Sequence, residues 1–187
     1  MRMQFHKFGK TDGIKKMTKL QQLIDRVKRT PMNVGTIKRM LPSYATFKTL
    51  DEISDNSKTV FKNHECVVLL VESKFSEIGH FVVLLKSPKG YIEYFSSFGG
   101  SVDREMKLLG QKGDKIKRLL GKNHLYNSLE LQSQSSSIQD CALFVLARII
   151  LRKLKLREFQ QLFKSSITLR TPDDIVSMLC ILLLIDL

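Results

Sequence analysis

Tryptophan is absent from the 187 residues, and proline occurs only four times. Cysteine is scarce too. Cys66, Cys141 and Cys180 are too few and too scattered for a disulfide framework, no CxxC pair occurs, and the four histidines do not cluster with them. That pattern reads as no structural zinc site and as a chain at home in a reducing compartment. The longest apolar run, Met178 to Ile185, is far short of the roughly 20 residues needed to span a bilayer, and is expected to be a buried helix. The start of the chain is basic and lacks a long apolar stretch, so no secretory signal is evident.

Acidic residues are also under-represented, 18 against 31 lysines and arginines, for a net charge of +13. Residues 1–40 carry eleven of the cations against Asp12 and Asp25, and a second basic stretch runs from Lys107 to Lys122. Such a balance attracts polyanions. No nucleic-acid-binding motif is present, so contact with nucleic acid would run through phosphates without reading sequence. A solvated basic surface accounts for the same charge.

What is present is enough for one core. Hydrophobic residues make up 43% and charged residues 26%. There is no internal repeat and no Pro/Gly linker, and the one low-complexity patch is Ser133 to Ser137. A single domain, 1–187, with a basic helical N-terminal segment over about 1–45, is the economical division. Ile14, Met17, Leu20, Leu23, Ile24 and Val27 recur at helical spacing before Pro31. Cys66–Val71 and Phe81–Leu85 are unbroken aliphatic runs that read as buried strands. Ser87-Pro88-Lys89-Gly90 is a turn that pairs the second run with Tyr91–Phe95. Residues 102–120 read as helix with a break at Gly110 or Gly113, 126–131 as a short strand, and 141–154 as a long buried helix with Arg148 and Arg152 on its wetter face. A helix over 157–163 follows, and Thr171-Pro172-Asp173-Asp174 starts another. Helices, then strands, then helices indicate an α+β fold, a central mixed sheet flanked by helices.

Two residues suggest chemistry. Cys141 follows a polar loop and opens an apolar helix, where the helix dipole favours the thiolate. By itself a cysteine beside Ala142-Leu143-Phe144 is more often a small core residue. His80, after Gly79, begins a strand and can face a cleft, although a histidine at a strand edge needs no function. His6, His64 and His124 lie in a basic tail, before a strand and in a loop.

Read together, Gly79-His80-Phe81, Tyr94-Phe95-Ser96-Ser97-Phe98-Gly99, Gln134 seven residues before Cys141, and Cys141-Ala142-Leu143-Phe144 resemble the adenovirus maturation protease family and the related ubiquitin-like-modifier proteases. The resemblance covers about residues 65–150. It implies a cysteine protease of that fold, with Cys141 as nucleophile at the start of a buried helix, His80 as its base and Gln134 as oxyanion donor. Gln132 and Gln139 compete for the last role but fit the spacing less well. Two departures stand out. Ser96 occupies the position where the family has Asp or Glu, and Glu93, the nearest acid, falls on the opposite strand face. Ala142 stands where the family prefers Gly.

The resemblance implies a cysteine endopeptidase that trims viral capsid or core precursors during virion maturation, in the virion or in the cytoplasm or nucleus of an infected cell. It requires no cofactor and leaves open DNA as an activating polyanion. The family's disulfide-linked peptide cofactor has no counterpart in these residues. A ubiquitin-like-modifier deconjugating protease, and an impaired protease fold retained as a virion structural or DNA-binding protein, are the alternatives.

Overall fold

A computed structural model describes residues 18–76, 79–87, 89–133, 140–164 and 170–184. The basic N-terminal segment forms α1 (Lys19–Arg29) and α2 (Val34–Met40), capped by the Thr18 and Asn33 side chains. After these come β1 (Ala45–Thr49), α3 (Ser57–Phe61), β2 (Cys66–Val71), β3 (His80–Lys86) and β4 (Ile92–Phe95). Then come α4 (Val102–Leu108), α5 (Asp114–Leu120), β5 (His124–Tyr126), α6 (Cys141–Ile150), α7 (Leu156–Gln161) and α8 (Pro172–Leu184). The residues of the first helical stripe before Thr18 lie outside the described residues.

The five strands form one mixed sheet in the order β1-β2-β3-β4-β5. The outer pairs are parallel and the central β2–β3–β4 meander is antiparallel. Both faces are covered, which explains why β2 and β3 are apolar without alternation. On one face Val68, Phe81, Val83, Leu85 and Phe95 pack under α6 and join a core that reaches α7 and α8. On the other, Val67, Leu69, Val82, Leu84 and Tyr94 pack against α3, α4 and α5.

The α+β fold, the β3–β4 hairpin, the break between α4 and α5 and the capped start of α8 agree with the sequence. Four features differ. The short strand lies at 124–126, not 126–131: Asn127 makes one last backbone bond to Tyr94 of β4, and its side chain then bonds to Leu129 and turns the chain into a loop. Helix α6 ends at Ile150 rather than 154. Arg148 does not lie on a wet face: it is 2% exposed and held by Glu93 of β4, through Nε to Oε1 at 2.7 Å and Nη2 to Oε2 at 2.9 Å. Finally, α8 is buried along only one side. Val176 and Cys180 are covered, while Leu182 is 63% exposed. Among the described residues no helix is long and apolar enough to cross a membrane.

Candidate active site

His80 is the first residue of β3. Gly79 before it sits in a tight spot: a Cβ there would lie 2.7 Å from Leu70 Cδ1, which would have to turn aside, and 3.1 Å from the Val71 carbonyl. The β3–β4 register pairs Leu84 with Tyr94. Continued past Phe95, it sets Ser96 opposite Val82 and diagonal to His80 on the same face, within side-chain reach. The His80 ring is 2% exposed, stacks on Phe98 at 4.0 Å, and places Nε2 3.1 Å from Ser96 Oγ. When that contact is Nε2–H donating to the hydroxyl, Nδ1 carries the free lone pair and is the basic nitrogen. Ser96 Oγ also accepts the Phe98 N–H at 3.2 Å.

The same ring nitrogen has a second neighbour that the sequence did not bring forward. Glu105 of α4, 3% exposed, reaches over the sheet to put Oε1 3.2 Å from His80 Nε2. That oxygen has no aligned hydrogen bond, while Oε2 accepts the Tyr94 hydroxyl at 2.7 Å. Burial raises the Glu105 carboxyl to about 7, with the Tyr94 and Ser96 hydroxyls opposing the rise. Burial also lowers His80 to about 3. At rest, then, an uncharged imidazole sits beside a carboxyl that titrates near neutrality. A signal for Glu105 existed: Val102, Glu105, Met106 and Leu109 form one helical stripe, and a carboxylate in an apolar stripe is out of place.

Cys141 is the first residue of α6 and is half-buried. The backbone N–H groups of Phe81 and Ala142 favour its thiolate, and Glu105 is close enough to disfavour it. The sulfur therefore lies by the residue that follows His80. The expectation of a thiol acidified by the helix dipole is not met: burial, followed by the Asp140 carboxyl, raises Cys141 to about 11. The helix end is partly offset by that carboxyl. Asp140 and Asp173 are pressed together just before Cys141, burial raises both, and Asp140 goes up to about 8 with the proton shared toward Asp173. Ala142 fits without strain, since Lys62 has the one positive φ among described non-glycine residues.

Gln134 and Gln139 lie outside the described residues. Gln132 is buried, and its carbonyl oxygen accepts the Ser97 hydroxyl at 2.7 Å. The turn that carries Ser96 is clamped to the following loop. Asn127 Nδ2 donates to the Ser96 carbonyl at 2.7 Å and to the Leu129 carbonyl at 2.8 Å, while its Oδ1 accepts from Leu129 N–H at 3.1 Å and from Gln160 of α7 at 2.9 Å. Gly99, at φ +68°, closes this turn, where a Cβ would meet the Leu129 carbonyl carbon at 2.5 Å.

Away from this cluster, at the opposite end of the sheet, α6 stops short of the row Cys66–Leu85–Glu93–Leu125. A cavity of about 1050 Å³ opens there, rimmed by Lys86, Lys153, Lys155, Arg157 and Lys164.

No family model matches the chain. It is similar to an uncharacterised protein of the Sputnik virophage, 26% identical over 155 residues, spanning 76% of this chain and 84% of that protein. Among solved structures it is similar to a crystal structure of a protease of ASFV, with 14% identity, a TM-score of 0.48, and coverage of 82% of this chain and 67% of the other.

Proposed function

We propose that the protein is a virus-associated cysteine endopeptidase in which Cys141 is the nucleophile and His80 the base. The observation that carries the reading is a half-buried thiol at a helix start, against the N–H of Phe81, the residue that follows a buried imidazole whose Nε2 is already met by a hydroxyl. Both groups rest uncharged, so the chemistry is general-base attack. Nδ1 takes the Cys141 proton as the sulfur adds to the peptide carbonyl, and the imidazolium returns it to the leaving amine. Water, activated by the same nitrogen, then hydrolyses the thioester. The Cys141 and Ala142 N–H groups and Gln134 are the proposed oxyanion donors. The four-part sequence pattern supports the protease class. The virophage relative supports a viral setting, where capsid or core precursors are the proposed substrates. An iodoacetamide time course with mass-spectrometric readout tests the site. Cys141 is expected to label much faster than the buried Cys66 and Cys180, both of which burial raises to about 12, and His80→Ala is expected to slow it at least tenfold. Labelling of Cys141 no faster than Cys66 would instead favour an impaired protease fold retained as a virion component.

The basic cavity is the proposed contact for nucleic acid. None of Lys86, Lys153, Lys155, Arg157 and Lys164 has an acidic partner among the described ion pairs. If five phosphates are neutralised, affinity for duplex DNA should fall about 500-fold between 50 and 200 mM salt, at a slope of about −0.9 per contact. Fluorescence anisotropy with two unrelated duplexes checks this, and a salt-insensitive or sequence-dependent affinity would refute it.

A further inference from the structure

We propose that Glu105 is a positioning residue for His80: α4 supplies, from across the sheet face, the negative charge that Ser96 does not. The inference rests on the Cys141–His80 reading and deepens it.

Three observations carry it. The first is distance. Glu105 Oε1 stands 3.2 Å from His80 Nε2, the nitrogen that faces away from the working lone pair. The second is the cost of its location. A carboxyl 3% exposed needs a compensating cation or a full set of hydrogen bonds, and Oε1 has neither an aligned bond nor a nearby lysine or arginine. The groups facing it are His80 from β3, the Tyr94 hydroxyl from β4, the Ser96 hydroxyl just beyond β4, and the Cys141 thiol from α6. Among these only His80 can become positive. The third is connectivity. The Ser96 hydroxyl meets His80 Nε2 at 3.1 Å and also favours the ionised form of Glu105, so the three side chains form one cluster.

The consequences for the reaction follow from charge. When His80 takes the Cys141 proton, an imidazolium forms in a space closed to water, and a carboxylate 3.2 Å away stabilises it. The carboxylate must be present for this to happen. Because burial raises Glu105 to about 7, the stabilised form of the site is populated above that pH and lost below it. The Tyr94 hydroxyl, as a donor to Oε2, holds this titration down from where burial alone would put it.

The test uses the full chain and two readouts. The first is the pH dependence of Cys141 alkylation by iodoacetamide, which needs no substrate. The second is the ring ¹⁵N shifts of His80. Wild type should show an alkylation rate that rises through about pH 7. Glu105→Gln preserves the shape and the Tyr94 bond; it should lose that rise, slow alkylation roughly tenfold or more, and move the His80 ¹⁵N shifts. Tyr94→Phe should fold irrespective of Glu105→Gln, and should shift the rise to higher pH. In the Glu105→Gln background, Ser96→Asp should restore the rate by returning an acid to the strand end. Should a peptide substrate be in hand, the Glu105→Gln loss should fall on kcat and leave KM unchanged. Wild-type alkylation and ¹⁵N profiles in Glu105→Gln, or an unmoved profile in Tyr94→Phe, overturn the proposal. A wild type that alkylates selectively at Cys141 but cleaves no peptide would overturn the protease reading alone.

Discussion

Replacing Cys141 by alanine should reduce cleavage of a precursor substrate by a factor on the order of 10⁴ to 10⁶, the range seen when a covalent nucleophile is deleted. The size of the loss follows from the mechanism. Among the described residues the other two thiols are poor substitutes: Cys66 of β2 and Cys180 of α8 are buried in the core, and both are pushed up to about 12. Cys66→Ala and Cys180→Ala should therefore leave the rate within a few-fold of wild type, apart from the modest cost of a small cavity. His80→Ala should approach the Cys141 loss, since a thiol raised to about 11 is almost wholly protonated at neutral pH and depends on a base to attack. Gel-based cleavage with matched thermal melts separates these effects. Substantial cleavage by Cys141→Ala would remove Cys141 from the reaction.

The second large effect concerns stability. Arg148→Met should destabilise the fold by about 3–5 kcal/mol, because it leaves Glu93 as a lone buried charge. The Leu151 and Leu154 carbonyls, which accept from Nη1 at 3.1 Å and Nη2 at 3.2 Å, lose a donor as well. For a domain of this size the melting temperature should drop by roughly 6–20 °C. Glu93→Leu combined with Arg148→Met should recover much of that loss, since a buried pair replaced by apolar groups is often near neutral. A urea-melt double-mutant cycle checks both statements. Equal losses in the single and double variants would mean that the ion pair is incidental and that the Arg148 guanidinium, 5.2 Å from the Phe159 ring centroid, carries the stability.

How much of this was legible in the sequence depended on the range over which each signal acts. The buried strands β2 and β3, their hairpin partner and the capped start of α8 are written in neighbouring residues, so apolar runs and turn chemistry sufficed. His80 and Ser96 were legible as a pair through the family resemblance, and strand alternation set Glu93 on the other face. The errors came where a distant partner decided the outcome. Arg148 looked like a surface residue, since nothing near it in sequence announces that Glu93 lies 55 positions away under the same helix. The thiol of Cys141 looked acidic from the helix dipole alone, whereas burial, with the Asp140 carboxyl adding to it, raises it. Glu105 was missed because the search for an acid followed the strand end. Its charge arrives from a helix that only the folded sheet brings near.

Asn127 has one more consequence. Its four side-chain hydrogen bonds join two structures that are remote in the chain: the turn that carries Ser96 and, through Gln160, helix α7 on the wall of the basic cavity. One side chain thus ties helix α7 to the backbone of Ser96, whose hydroxyl lies against His80.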